Sequence, residues 1–149
     1  MTQEEKELLL KDLCARLDTN LVCSIYRTDD EGVGYRDEIL HGYCKGDIWY
    51  EFYFREDCSI GIDNVSKIKP YLFPLSSMTE EQKEELKQEH IKDEELYVEC
   101  LTKVAKGDRS MKGKVIIHYA MDWCNKNHFD YRGLIEKGLA IDATGLNVY

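Results

Sequence analysis

The sequence predicts an α+β fold in which a small antiparallel sheet of about four strands, which could curl into a half-barrel, packs with an N-terminal helix and C-terminal helices. Three observations predict it. The first residues carry an apolar stripe at helical spacing, short strand-like segments follow between residues 21 and 62, and residues 115–127 form a second, strongly apolar helical pattern.

The overall composition is that of a globular protein. The 149 residues are 43% hydrophobic and 33% charged, which suits one domain spanning 1–149. No apolar run is long enough to span a bilayer, and the acidic N-terminus does not resemble a signal peptide, so a cytoplasmic location is expected. The six Cys contain no CxxC pair, which argues against a zinc ribbon or a thioredoxin-type site and favours reduced, mostly buried thiols.

The N-terminal segment predicts a helix with a capping box. Thr2 can accept a hydrogen bond from the backbone of Glu5, and the Glu5 side chain can return one. The predicted apolar stripe is Leu10, Leu13, Cys14 and Leu17, and the helix should end near Asp18.

The next segment predicts the sheet. Strands are expected at 21–27, 38–44, 48–54 and 58–62, with a turn at 29–34 and a tight hairpin at 45–47. In the third strand, alternation predicts a core face and a half-exposed face. The core face comprises Ile48, Tyr50, Phe52 and Phe54, and the other comprises Trp49, Glu51, Tyr53 and Arg55.

Both prolines of the chain lie in "KIKPYLFPLSSM". Pro70 and Pro74 argue against a regular helix and against a central strand. We therefore expect an extended segment that lies over the core.

An acidic helix is predicted to follow, with Thr79 as its N-cap. Leu86 is the one strongly apolar residue in 79–90, and residues 80–99 hold nine acidic and three basic side chains. A helix that is polar all round faces solvent or awaits a partner. Glu81, Glu84 and Glu85 are the candidate interaction residues on it.

A further helical pattern, Tyr97 to Val104, is closed by Gly107, and the helix at 115–127 carries an apolar stripe that includes Trp123. The segment "HFDYRGLIEKGLAID" (128–142) is predicted to close the core against that helix. Asp130 should cap a short helical turn ended by Gly138, Arg132 should bridge to an acid elsewhere in the domain, and "LAID" should form a short strand.

The loop "KGDRSMKGK" (106–114) is basic. It is not a Walker loop, because five residues separate its glycines and no Ser or Thr follows the final Lys. It is either a solvated connection or a contact for phosphates or an acidic partner, through Lys106, Arg109, Lys112 and Lys114.

Residues capable of catalysis or metal binding are few. His118 and Asp122 share a helix face, but the sequence supplies no third metal ligand, so a hydrogen-bonded pair is favoured. Cys124 lies near His128 with no sign of an activated thiol. We therefore favour a protein that is not an enzyme over an enzyme of unrecognised type, and we expect no cofactor and no metal site.

The outward strand face carrying Trp49, Tyr53 and Arg55 has two interpretations. It could stack bases or grip a peptide, or another segment could cover it. Covering is favoured.

The blocks "LLLKDLCARL", "IKPYLFPLSSMTEEQ" and "DWCNKNHFDYRGLIEKGLA" resemble a set of small uncharacterised proteins encoded in gut Bacteroidales genomes, often in prophages and mobile elements. The resemblance implies a cytoplasmic accessory protein and assigns no activity and no catalytic residues. Together with the acidic helix, it predicts a non-enzymatic protein that acts by protein–protein interaction. The alternative is a small-ligand or nucleic-acid-binding module that uses the aromatic strand face or the basic loop; nucleic acid is not favoured, since the chain carries a net charge of −9.

Overall fold

The structure is a computed structural model, which describes residues 1–29, 32–45, 50–55, 58–90 and 114–149. The predicted α+β fold is confirmed. The helices are α1 (Gln3–Ala15), α2 (Glu80–His90) and α3 (Lys114–Lys126). The strands are β1 (Val22–Asp29), β2 (Gly32–Ile39), β3 (Gly42–Lys45), β4 (Tyr50–Arg55), β5 (Cys58–Gly61), β6 (Ile68–Pro74), β7 (Phe129–Asp130) and β8 (Ile141–Asp142), and two 3₁₀ helices cover Ile62–Lys67 and Leu75–Ser77.

Helix α1 begins with the predicted capping box but buries a different face. The Thr2 hydroxyl accepts from the Glu5 backbone at 3.1 Å, and the Glu5 carboxylate accepts from the Thr2 backbone at 2.6 Å. The predicted stripe is wrong at Cys14, which is exposed. The fully buried positions are Leu9, Asp12, Leu13 and Arg16. A charged pair can lie on this face because Asp12 and Arg16, one turn apart, bind each other.

The described strands form two sheets, which do not close into a barrel. One has the order β2-β1-β6-β7, with β8 also paired to β6, and the other has the order β3-β4-β5. The predicted turn at 29–34 is shorter than expected, since β1 and β2 pair as far as Asp29 and Gly32. The predicted strand at 38–44 is two strands. Leu40 donates its backbone N–H to Leu21, whereas His41 donates to Tyr53, so the chain passes here from one sheet to the other.

The proline segment is a strand inside the sheet, which corrects the sequence prediction. Its partners are staggered, because β1 pairs with residues 68–70, β8 with 71–72 and β7 with 73–74. The Leu72 carbonyl accepts from the Ala143 N–H, beside β8. Backbone groups two residues apart in a strand point to the same side, so the Pro70 nitrogen also points toward this edge. The pairing of β6 with β8 begins after Pro70, at Tyr71. A missing N–H therefore interrupts no described ladder bond at Pro70.

The main core lies between α1 and the sheets. Phe52 and Phe54 of β4 are fully buried there, as predicted, together with Leu9 and Leu13 of α1 and Leu72 of β6. Strands β3 and β4 pair antiparallel, as the predicted hairpin requires, while residues 46 and 47 of its predicted tight link lie outside the described residues. Ile48 and the predicted helical pattern from Tyr97 to Val104 lie outside the described residues, and only the backbone of Tyr50 is described.

The C-terminal segment packs against the Trp123 helix, as predicted, and it also contributes to the main core. Phe129 stacks on Trp123 with ring centroids 5.6 Å apart, while Leu134 and Leu139 join the main core. The Asp130 carboxylate accepts from the backbones of Leu134 and Ile135 at 3.0 and 2.8 Å, which stabilises a series of turns where a short helical turn was expected. The strand predicted in "LAID" is β8.

Gly138 ends these turns with φ of 68°, a conformation that strains residues with a Cβ. We expect Gly138→Ala to lower the free energy of unfolding by roughly 1 kcal/mol. Gly42→Ala is the matched control, because a Cβ at either position would meet no atom within 4 Å and only Gly138 has positive φ. Urea unfolding compares the two, and equal losses would contradict the conformational explanation.

Candidate functional site

Helix α2 is positioned by its N-terminal cap and by one buried side chain. Thr79 and Gln82 form a reciprocal cap, with bonds of 2.9 and 3.2 Å between the backbone of each and the side chain of the other. Leu86 is 2% exposed and packs in a second core beside Trp123 and Ala120 of α3. One apolar anchor and a good cap therefore position a helix that has little else to bury.

The outer side of α2 carries the three predicted carboxylates. Glu81, Glu84 and Glu85 are all exposed, while Gln82 and Lys83 are half-buried. Positions i, i+3 and i+4 share one face of a helix, so the three acids form a single negative surface, which we call the acidic face. Hydrogen bonds from its own backbone and from Thr79 lower the pKa of Glu81, so this carboxylate stays charged into mildly acidic solution.

For most of the other predicted interaction residues, the structure does not describe the side chain. Trp49, Lys106, Arg109 and Lys112 lie outside the described residues. Lys114 begins α3 and Arg55 ends β4, and the description covers only their backbones. Tyr53 is half-buried in β4, opposite Gly42 and Ser59 in the neighbouring strands.

The residues considered as catalytic candidates are either wholly or partly buried in the structure or paired on its surface. His118 and Asp122 form an exposed pair at 3.4 Å, as predicted. Cys124 is fully buried, which raises the pKa of its thiol to about 12, so a thiolate nucleophile is disfavoured at neutral pH. Burial and the charge of Arg16 lower the pKa of His128 to about 4, and its ring stacks on Tyr149 at 4.0 Å. Within the described ranges, no group of three or more His, Cys, Asp or Glu could hold a metal ion.

A buried ionic centre was not predicted from the sequence. Arg16 is fully buried and binds both carboxylate oxygens of Asp12, at 2.8 and 3.1 Å. Its remaining hydrogen bonds reach the carbonyls of Cys124 and Asn125, at 3.2 Å each, and of Phe129 at 2.8 Å. One guanidinium therefore ties α1 to the end of α3 and to β7.

Arg132 completes this centre from the C-terminal segment. It donates to Asp12 at 2.8 Å, which is the bridge to a distant acid that the sequence predicted. Its guanidinium also lies over the Tyr131 ring, 4.4 Å from the centroid. Burial alone would lower the pKa of Arg16, but the attraction of Asp12 and its hydrogen bonds raise it, so the guanidinium stays charged.

The geometry of the buried ionic centre suits a structural role, because its hydrogen bonds connect separate elements of the fold. Arg16 satisfies carbonyls in the last turn of α3, where the helix dipole favours a positive charge. Asp12 and Arg16 are both inaccessible to solvent, so neither could meet a substrate without rearrangement. The solvent-facing candidate among the described residues is therefore the acidic face.

Comparisons of the chain with protein-family models, with curated proteins and with solved structures found no match. Among the described helices, none is long and apolar enough to cross a membrane.

Proposed function

We propose that this chain is a non-enzymatic accessory protein of the cytoplasm that binds a partner protein through the acidic face of α2. The observation that carries the proposal is the placement of Glu81, Glu84 and Glu85 on one exposed surface of a helix that is anchored by Leu86. The resemblance to prophage and mobile-element proteins supplies the setting, in which the partner is a host or phage protein.

The chemistry of the acidic face defines the partner. Three carboxylates on one exposed helix face attract a surface rich in Lys and Arg, and the overall charge of −9 extends that attraction beyond the contact itself. Such a contact weakens as salt rises, because exposed charges are screened. A basic protein surface is therefore the proposed target, and a negatively charged nucleic acid is not.

Affinity capture from lysate of the native host tests this proposal. The tagged wild type is compared with a variant carrying Glu81→Lys, Glu84→Lys and Glu85→Lys, both treated with nuclease and read by mass spectrometry. We expect the variant to recover a nuclease-resistant partner roughly tenfold less well, or to lose it, because attraction becomes repulsion.

The matched control reverses three exposed acids away from α2, Glu7, Asp18 and Glu136. It changes the net charge by the same amount, so it distinguishes the effect of the acidic face on binding from the effect of the overall charge. Equal capture by both variants would contradict the proposal. Recovery of nucleic acid before nuclease treatment would instead favour the alternative module that uses Trp49, Tyr53 and Arg55 or the basic loop at 106–114.

A further inference from the structure

The outer half of the β1–β2 hairpin extends beyond the rest of its sheet. Strands β1 and β2 pair over eight residues each, but β6 pairs with β1 only from Cys23 to Ile25. In the described part of the chain, residues 26–29 and 32–35 therefore form a two-stranded ribbon. Val33 and Tyr35 are each 64% exposed on it, and a Cβ at Gly34 would meet no atom within 4 Å. A bare ribbon with exposed apolar side chains gains stability from a further strand.

The backbone of β2 presents hydrogen-bonding groups along its outer edge. The Leu40 N–H donates to the carbonyl of Leu21, the residue directly before β1. The backbone groups of Leu40 therefore point toward β1. In an antiparallel ladder the N–H and C=O of one residue point to the same side, and the side alternates along the strand. The register is unbroken from Gly32 to Ile39. Consequently Val33, Tyr35 and Asp37 direct their N–H and C=O groups away from β1.

We propose that this edge pairs with the same edge of a second copy of the chain, antiparallel, about a two-fold axis at Tyr35. In this register Tyr35 lies opposite the partner's Tyr35, and Val33 lies opposite the partner's Asp37. All of these residues point their backbone groups outward, so each pair can exchange two hydrogen bonds. The two copies then form one continuous sheet.

The side chains select this register among the two-fold alternatives. An axis at Arg36 or at Asp37 would place two like charges directly opposite each other, which is destabilising. An axis nearer Gly32 would shorten the paired segment. With the axis at Tyr35, the partner's Arg36 lies opposite Gly34, where the space beside the backbone is empty. Two tyrosine rings meet at the centre, and aromatic cross-strand pairs are favourable.

This interface lies on β2 and is independent of the acidic face of α2. Sedimentation equilibrium tests it directly. We expect the wild type to show a concentration-dependent dimer, and the Val33→Lys, Tyr35→Lys variant to be a monomer with unchanged circular dichroism. Tyr119→Lys, at an exposed aromatic of α3, is the control that should still dimerise.

Cysteine cross-linking tests the register. In a Cys14→Ser background, which removes an exposed thiol, Tyr35→Cys should form a disulfide-linked dimer under mild oxidation, because facing residues in such a pair are about 5.5 Å apart at Cα. Ile39→Cys, exposed on the same strand but far from the axis, should not. A wild type that stays monomeric at every concentration, a dimer that survives the two lysines, or cross-linking at position 39 in place of 35 would each overturn the proposal.

Discussion

Replacing Arg16 with Met should lower the free energy of unfolding by about 3–5 kcal/mol, because it leaves the buried Asp12 without its main partner. The same change removes the hydrogen bonds to the carbonyls of Cys124, Asn125 and Phe129. Domains of this size have stabilities of about 5–15 kcal/mol, so the variant should unfold at a much lower urea concentration. Equilibrium unfolding followed by circular dichroism measures the loss.

Two further variants distinguish the contribution of the buried ion pair from the contribution of side-chain packing. Arg132→Met removes a single bond to Asp12 from a side chain that is 15% exposed, so its cost should be smaller than that of Arg16→Met. Adding Asp12→Leu to Arg16→Met should recover part of the lost stability, because the buried carboxylate that lost its main partner is then removed. An Arg16→Met protein within about 0.5 kcal/mol of the wild type would show that the buried ion pair does not hold the helices together.

Replacing Phe129 with Ala should cost about 3–5 kcal/mol, because it opens a cavity in the second core. The ring is 2% exposed, stacks on Trp123 and lies 6.0 Å from the Phe73 ring. It thereby joins α3, β6 and the C-terminal segment. The midpoint of urea unfolding should fall accordingly, and the loss of Trp123 stacking should change the fluorescence of the folded state.

Leu146→Ala is the control for this change. Leu146 belongs to the same C-terminal region but is 48% exposed, so its truncation should alter stability by no more than about 0.5 kcal/mol. Similar losses from both substitutions would mean that the C-terminal segment does not close the core through Phe129.

Local signals in the sequence predicted much of this fold. The Thr2 capping box, the burial of Phe52 and Phe54 in β4 and the capping bonds of Asp130 depend on residues close together in the chain, and each of these is confirmed. The acidic face was also predictable, because three glutamates at helical spacing follow a capping threonine.

The features that were missed depend on contacts between distant residues. Nothing near Arg16 indicates that the carbonyls it would bind lie more than 100 residues away, and an Arg in a polar helix is ordinarily exposed. Likewise, Pro70 argues against a central strand unless the partners are known to be staggered along β6. Spacing alone also placed Cys14 in the buried stripe of α1, but the buried face is a different one that includes the charged pair Asp12 and Arg16, and Cys14 is exposed.

The most direct test of the proposed function is photo-cross-linking in the native host, with a benzophenone amino acid placed at Glu84 on the acidic face or at Glu136 as the control. Both positions are exposed, and only the first lies on α2. We predict that the probe at 84 captures a defined, basic protein that the probe at 136 does not. Capture of nucleic acid at 84, or the same products from both positions, would contradict the proposal that α2 is a protein-binding surface.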